Sequence, residues 1–181
     1  MVTAPARLLS HVELVYAPGE RALVARAFEL LGCSVHDGGG RYLVVRATDD
    51  GTFTENVWYA SEVTPEQWSL ERALHARAAD DGFSRALDGY AALASSRPQD
   101  APHFGIQYAE SDDLDAAVGR VARVDELAPE LAGRVTVARR IEPGDPASLS
   151  PNVVQVFLRT SLFASGVLAF GQVVELQHYP A

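Results

Sequence analysis

The sequence predicts an α+β protein built from two βαβββ modules, with a helical insert between them. Three observations carry this. A strand pattern, an amphipathic helix and three more strand patterns follow one another over residues 8–63, and the same order returns over 101–181. His11, Tyr16 and Ala17 recur as His103, Tyr108 and Ala109, each pair 92 residues apart. Residues 64–97 break the strand rhythm with alanine-rich, helix-forming sequence. The chain is therefore expected to divide into a first module at 1–63, an insert and linker at 64–100, and a second module at 101–181.

In the first module, residues 8–17 alternate. His11, Glu13 and Val15 point one way, and Val12, Leu14 and Tyr16 the other. Pro18-Gly19 makes a turn. Residues 20–31, ERALVARAFELL, place Leu23, Ala27 and Leu30 on one stripe, with Gly32 as the stop. Strands are expected at 33–37, at 41–47 after a triple-glycine turn, and at about 54–61. Thr64-Pro65-Glu66-Gln67 reads as a capped helix start, with proline in the first turn and glutamine three residues after the cap. The insert breaks near Asp80-Asp81-Gly82, and 95–102 is a linker. In the second module, strands are expected at 103–109, 134–140, 153–160 and 171–179, with a helix at 112–124 and a loop at 142–152. Asp112 and Asp113 favour the start of that helix electrostatically.

Composition narrows the function classes. With 48% hydrophobic residues, 181 residues can bury a sizeable core. The net charge is −9 and no basic run exceeds Arg139-Arg140, so a nucleic-acid partner is not expected. All fifteen basic residues are arginine, which excludes a Schiff-base lysine. The single cysteine, Cys33, permits no intramolecular disulfide and reads as a small buried residue. No segment is apolar enough to span a membrane and no signal peptide is seen, so a cytoplasmic location is expected.

The stretches "HVELVY", "ERALVARAFELLG", "HFGIQYAESDDLDAAVGRV" and "QVVELQHY", in that order, resemble the vicinal oxygen chelate superfamily. That superfamily includes glyoxalase I, extradiol dioxygenases and bleomycin-resistance proteins. The resemblance implies that the strands of the modules form curved half-barrels around a cavity that holds a metal. Matched residue by residue, it implies His11, His103 and Glu175 as metal ligands. The last strand of the first module, "TENVWYASEV", has Val57, Trp58 and Tyr59 at its middle and no carboxylate there, with Glu55 and Glu62 at its edges. This departs from the four-ligand glyoxalase pattern and resembles the two-histidine, one-glutamate set of extradiol dioxygenases.

Parity is consistent with that assignment. The His11 face would also carry Glu13, the His103 face Gln107, and the Glu175 face Gln177, while the opposite faces are mainly apolar. Two histidines and one carboxylate suit a divalent metal with open positions, iron(II) favoured, with zinc, manganese and nickel as the alternatives. Tyr59 is the candidate acid–base group. Glu13, Gln107, Arg159 and Gln177 are candidates for contacting substrate or orienting the ligands. His36 and His75 are expected at the surface, and His178 has the wrong parity to ligate. The expected partner is a small molecule that chelates through adjacent oxygens, with no nucleic acid or membrane, and the chain is expected to be a monomer or homodimer. The competing expectation is a metal-free protein that binds an antibiotic or other small aromatic ligand by shape, or a glyoxalase-like lyase or isomerase.

Overall fold

A computed structural model describes residues 11–48, 56–148, 152–164 and 172–178. The first module runs β1 (His11–Tyr16), α1 (Arg21–Leu30), β2 (Ser34–Asp37), β3 (Tyr42–Arg46) and β4 (Val57–Glu62). Two helices follow, α2 (Pro65–Ala76) and α3 (Asp81–Ser96). The second module runs β5 (His103–Gln107), α4 (Ser111–Ala122), the short α5 (Val124–Leu127), β6 (Val135–Ile141), β7 (Val154–Thr160), the two-residue β8 (Phe163–Ala164) and β9 (Gln172–His178).

The fold is α+β with two open mixed sheets. One is ordered β2-β3-β4-β1-β8 and the other β5-β9-β7-β6. Leaving β8 aside, the two orders are the same permutation: the first strand lies next to the last, in parallel, and the middle two continue antiparallel. The internal repeat is therefore topological as well as sequential. β8 comes from the second module but pairs with β1, so it closes the edge of the first sheet with residues of the other half.

Alternation decides which faces are buried. Leu14, Tyr16, Leu43, Val45, Trp58 and Ala60 of the first sheet enter one core with Ile106, Val156, Leu158, Val174 and Leu176 of the second. Helices α1 and α4 fill it with Val24, Phe28, Leu114, Ala117 and Val121. Phe28 stacks on Phe163 at 4.7 Å between ring centroids, and Trp58 meets Phe104 at 5.5 Å. Such aromatic pairs add to the gain from burial. Cys33 lies in this core, and burial pushes its thiol up to about 12, so it is a packing residue and not a nucleophile.

Polar cross-links fix the halves to one another. Tyr108 Oη donates to the Leu31 carbonyl at 2.6 Å, and Arg120 Nε to the Leu30 carbonyl at 2.6 Å. Both acceptors are carbonyls left without partners at the end of α1. Arg26 Nη2 returns the contact to the Leu127 carbonyl at 3.0 Å. Gly32 then leaves the helix with a φ of +83°, the left-handed geometry that favours glycine at a helix stop.

The insert begins as its sequence indicates: the Thr64 hydroxyl accepts from the Gln67 amide at 3.2 Å, with proline in the first turn. Its placement is a finding beyond the sequence. Ala94 of α3, Ala101, Ile141 and Phe157 form a second small apolar cluster. Arg159 Nη1 donates to Ser95 Oγ at 3.0 Å, and Arg139 donates to the Ser96 carbonyl. The end of α3 therefore covers part of the second sheet on the face opposite the main core.

At the start of α1, Arg21 holds Asp37 through two contacts of 2.5 and 2.8 Å. The guanidinium, with the Gly39 amide, brings the Asp37 carboxyl down from 3.8 to about 2. A carboxyl depressed by folding stabilises the fold above its unfolded value and loses that contribution as pH falls through the folded value. Acid titration of stability should therefore show a downward limb between about pH 4 and pH 2 that is shallower in Asp37→Asn, measured by denaturant unfolding across that range. Equal slopes in the two proteins would remove this role for the pair.

Candidate functional site

Because the apolar faces of both sheets share the core, the polar faces point away from it. On the second sheet, register places Gly105, Glu175 and Phe157 side by side, with His103 two residues from Gly105 on the same face of β5. His103 Nε2 lies 3.1 Å from Glu175 Oε2. The other ring nitrogen, Nδ1, is 2.7 Å from the Ala101 carbonyl. Gln155 Nε2 donates to Glu175 Oε1 at 2.5 Å. Phe157 stands edge-on to the imidazole at 5.6 Å. Glu175 is 7% exposed and Gln155 5%, so both polar groups are held in a largely dry setting where hydrogen bonds must be met internally.

The hydrogen-bond roles define what this cluster accepts. A carbonyl only accepts, so Nδ1 carries a proton and donates to Ala101. Nε2 then faces a carboxylate oxygen, and the two attract only if a proton or a cation stands between them. Among the described residues, Gln155 Oε1 is buried without a hydrogen-bond partner. An imidazole fixed through Nδ1 to a backbone carbonyl and a carboxylate steadied by an amide are the outer contacts typical of metal-ligating side chains. The donor chemistry of His103 and Glu175 therefore fits a divalent cation.

The first sheet carries the counterpart. Register places Glu13, Tyr59 and Val44 side by side, as it does Gly105, Glu175 and Phe157 in the second sheet. Tyr59 is thus the positional equivalent of Glu175, Tyr42 of Gln155, and Arg46 of Arg159. The contacts correspond too. The His11 and Tyr59 rings are 5.1 Å apart and the Tyr42 and Tyr59 rings 5.7 Å. Arg41 sits over Tyr42, 5.2 Å from the ring centroid. A histidine–carboxylate–amide trio in one module is a histidine–tyrosine–tyrosine trio in the other.

Of the three expected ligands, the structure brings together His103 and Glu175. His11 lies on the other sheet, exposed, beside Tyr59. Among the described residues no three His, Cys, Asp or Glu side chains gather closely enough to hold a metal. Glu13 and Gln107 are exposed on their expected faces. Arg159 is exposed and engaged with Ser95 of the insert. Gln177 aligns with Gln107 and Gln155 through its backbone, and its side chain lies outside the described residues. Glu55 also lies outside them. Glu62 accepts the Gly19 amide at 2.9 Å and serves the turn after β1. His36 and His75 are exposed, and His178 Nδ1 is 3.2 Å from the Tyr108 carbonyl.

Sequence reasoning missed Gln155. Its signal was available: it is the one polar residue within the run Val153 to Leu158, where an apolar side chain would pack at no cost. A cavity of about 530 Å³ lies elsewhere, between α2 and the two modules. Compared with known families and with curated proteins, the chain matches no family model and no curated relative. No described helix is long and apolar enough to cross a membrane.

The coupling within the trio is measurable. A double-mutant cycle on His103→Ala and Glu175→Ala, read by denaturant unfolding, should give an interaction of roughly 1–3 kcal/mol, as expected for groups in direct polar contact away from water. Additive single effects would show that the pair does not hold together in solution.

Proposed function

We propose that the protein is a metal-dependent enzyme of the vicinal oxygen chelate type, acting on a small molecule that binds through two adjacent oxygens. The observation that carries this reading is the His103–Glu175 pair, with Nδ1 anchored to Ala101 and the carboxylate anchored to Gln155. His103 and Glu175 would hold the cation, with His11 as the third ligand contributed by the first module. A bound divalent ion, iron(II) in the favoured case, would supply Lewis acidity and open positions for substrate oxygens and dioxygen.

The chain's own residues supply the remainder. Gln155 fixes the Glu175 carboxylate, and its buried Oε1 can accept from a substrate hydroxyl or a water. Phe157 limits the movement of the imidazole. The rings of His11, Tyr59 and Tyr42 offer an aromatic surface for a planar substrate, and the Tyr59 hydroxyl is the group suited to move a proton. With a phenol at the position equivalent to Glu175, the first module lacks a second carboxylate, which favours ring-cleaving dioxygenation over glyoxalase-type isomerisation. A cytoplasmic monomer or homodimer working on a small molecule, without nucleic acid, completes the proposal.

One observation favours a second reading. The end of α3 covers part of the sheet face that carries His103 and Glu175. A protein that binds an aromatic ligand without metal, on the open face of the first sheet, would tolerate that cover. Metal analysis decides between the two. Protein prepared without chelators or a histidine tag should carry about one divalent ion per chain, by the usual occupancy of a specific site. His103→Ala and Glu175→Ala should lose it, and His11→Ala should weaken it by at least about tenfold. Metal-free protein that still binds a planar aromatic ligand, unaffected by His103→Ala, would replace the first reading with the second. Turnover without oxygen consumption would replace the dioxygenase with a lyase or isomerase.

A further inference from the structure

We propose that the cavity between α2 and the two modules binds a small uncharged aromatic molecule. This site is separate from the His103–Glu175 cluster and does not depend on the metal reading.

The cavity has a volume of about 530 Å³. That falls within the range of roughly 300–1,000 Å³ common to small-molecule sites, and such sites often lie where structural units meet. Its walls come from three parts of the chain: Ala17 and Glu20 around the turn between β1 and α1, Trp68 and Ala76 on α2, and Arg134 and Ser161 of the second module. Trp68, Ala17 and Val15 all pack on Val63, which holds the apolar part of the wall in place. Protein interiors are close-packed, and a space of this size beneath a helix marks room for an occupant.

Charge decides the class of occupant. Two carboxylates, Glu20 and Glu71, and two guanidiniums, Arg72 and Arg134, line the cavity, so the wall is balanced. The charged groups on its less exposed part are also engaged already. Arg134 meets both Glu20 oxygens, at 2.8 and 2.9 Å, and donates through Nε to Ser161 Oγ at 2.7 Å. Glu71, 3% exposed, has an interaction partner of its own within the chain. Arg72 and His75 are exposed, and water screens them. An ionic ligand would therefore leave water without meeting a free counter-charge in the drier part of the cavity, and that desolvation is costly. A neutral ligand bears no such cost. Trp68 gives it a flat apolar surface, on which an aromatic ring stacks with a gain beyond burial alone.

The test uses 2-phenylethanol as probe, with phenethylamine and phenylacetate as its cationic and anionic counterparts, in calorimetric titrations of the full chain at neutral pH. The alcohol should bind at least about tenfold more tightly than either ion. Two variants place the ligand. Ala76→Phe narrows the cavity from an exposed position on α2, where folding is not at stake, and should weaken binding of the alcohol. The second tryptophan, Trp58, lies in the main core, so tryptophan emission reports on the cavity through Trp68. The alcohol should change that emission in the parent chain. Trp68→Phe keeps a ring on the wall and should abolish the change while calorimetry still detects the ligand. Either ion binding as tightly as the alcohol, binding indifferent to Ala76→Phe, or an emission change that survives Trp68→Phe would each overturn the proposal. Absence of binding by the alcohol at millimolar concentration would also overturn it.

Discussion

One packing constraint organises the molecule: both sheets bury their apolar faces in a single core around α1 and α4. Strand side chains alternate, so burying Leu14 and Tyr16 sends His11 and Glu13 outward, and burying Ile106 and Leu176 sends Gly105 and Glu175 outward. A slip of one residue in any strand would exchange the two sets. Tyr108 and Arg120 reinforce the arrangement, because the carbonyls they satisfy belong to the other module's helix. Neither half could keep its helix end satisfied in this way without its counterpart.

Much of this was legible in the sequence. Strand parity, the stripe on α1, the Thr64 cap and the repeated order of elements are local patterns, and local physics sets them. Histidines and a glutamate on polar faces followed from the same parity. What the sequence did not disclose depends on distant contacts. β8 is two residues long, too short to show a period, and exists because β1 offers an unpaired edge. The docking of α3 rests on Ala94 and Ala101, small residues whose role is set by what lies opposite. Gln155 was legible as an anomaly in an apolar strand, but its partner became definite only with the register of β7 on β9.

The two modules share a topology and differ in how their outward faces are used. In the second, Gln155, Glu175 and His103 form a hydrogen-bonded polar trio, and the face is partly covered by the insert. In the first, aromatic rings stand at the equivalent positions and the His11 and Glu13 end is open. Burial explains the difference in chemistry. A carboxylate under cover holds its geometry through an amide and an imidazole and interacts strongly with any cation that reaches it. An aromatic trio needs no such support and keeps its binding surface while facing water.

The insert is therefore the element that breaks the symmetry of the repeat. Its two helices relate differently to the body. α3 ends against the second sheet through a small apolar cluster and two arginine contacts, whereas α2 stands over a cavity and buries a glutamate. A segment with so little apolar burial gains little free energy from docking. Both α2 and α3 belong to one continuous segment, and Arg134, across the cavity, directly precedes β6, whose Arg139 holds the end of α3. The position of one insert therefore sets both the cover over the His103–Glu175 face and the cavity beneath α2.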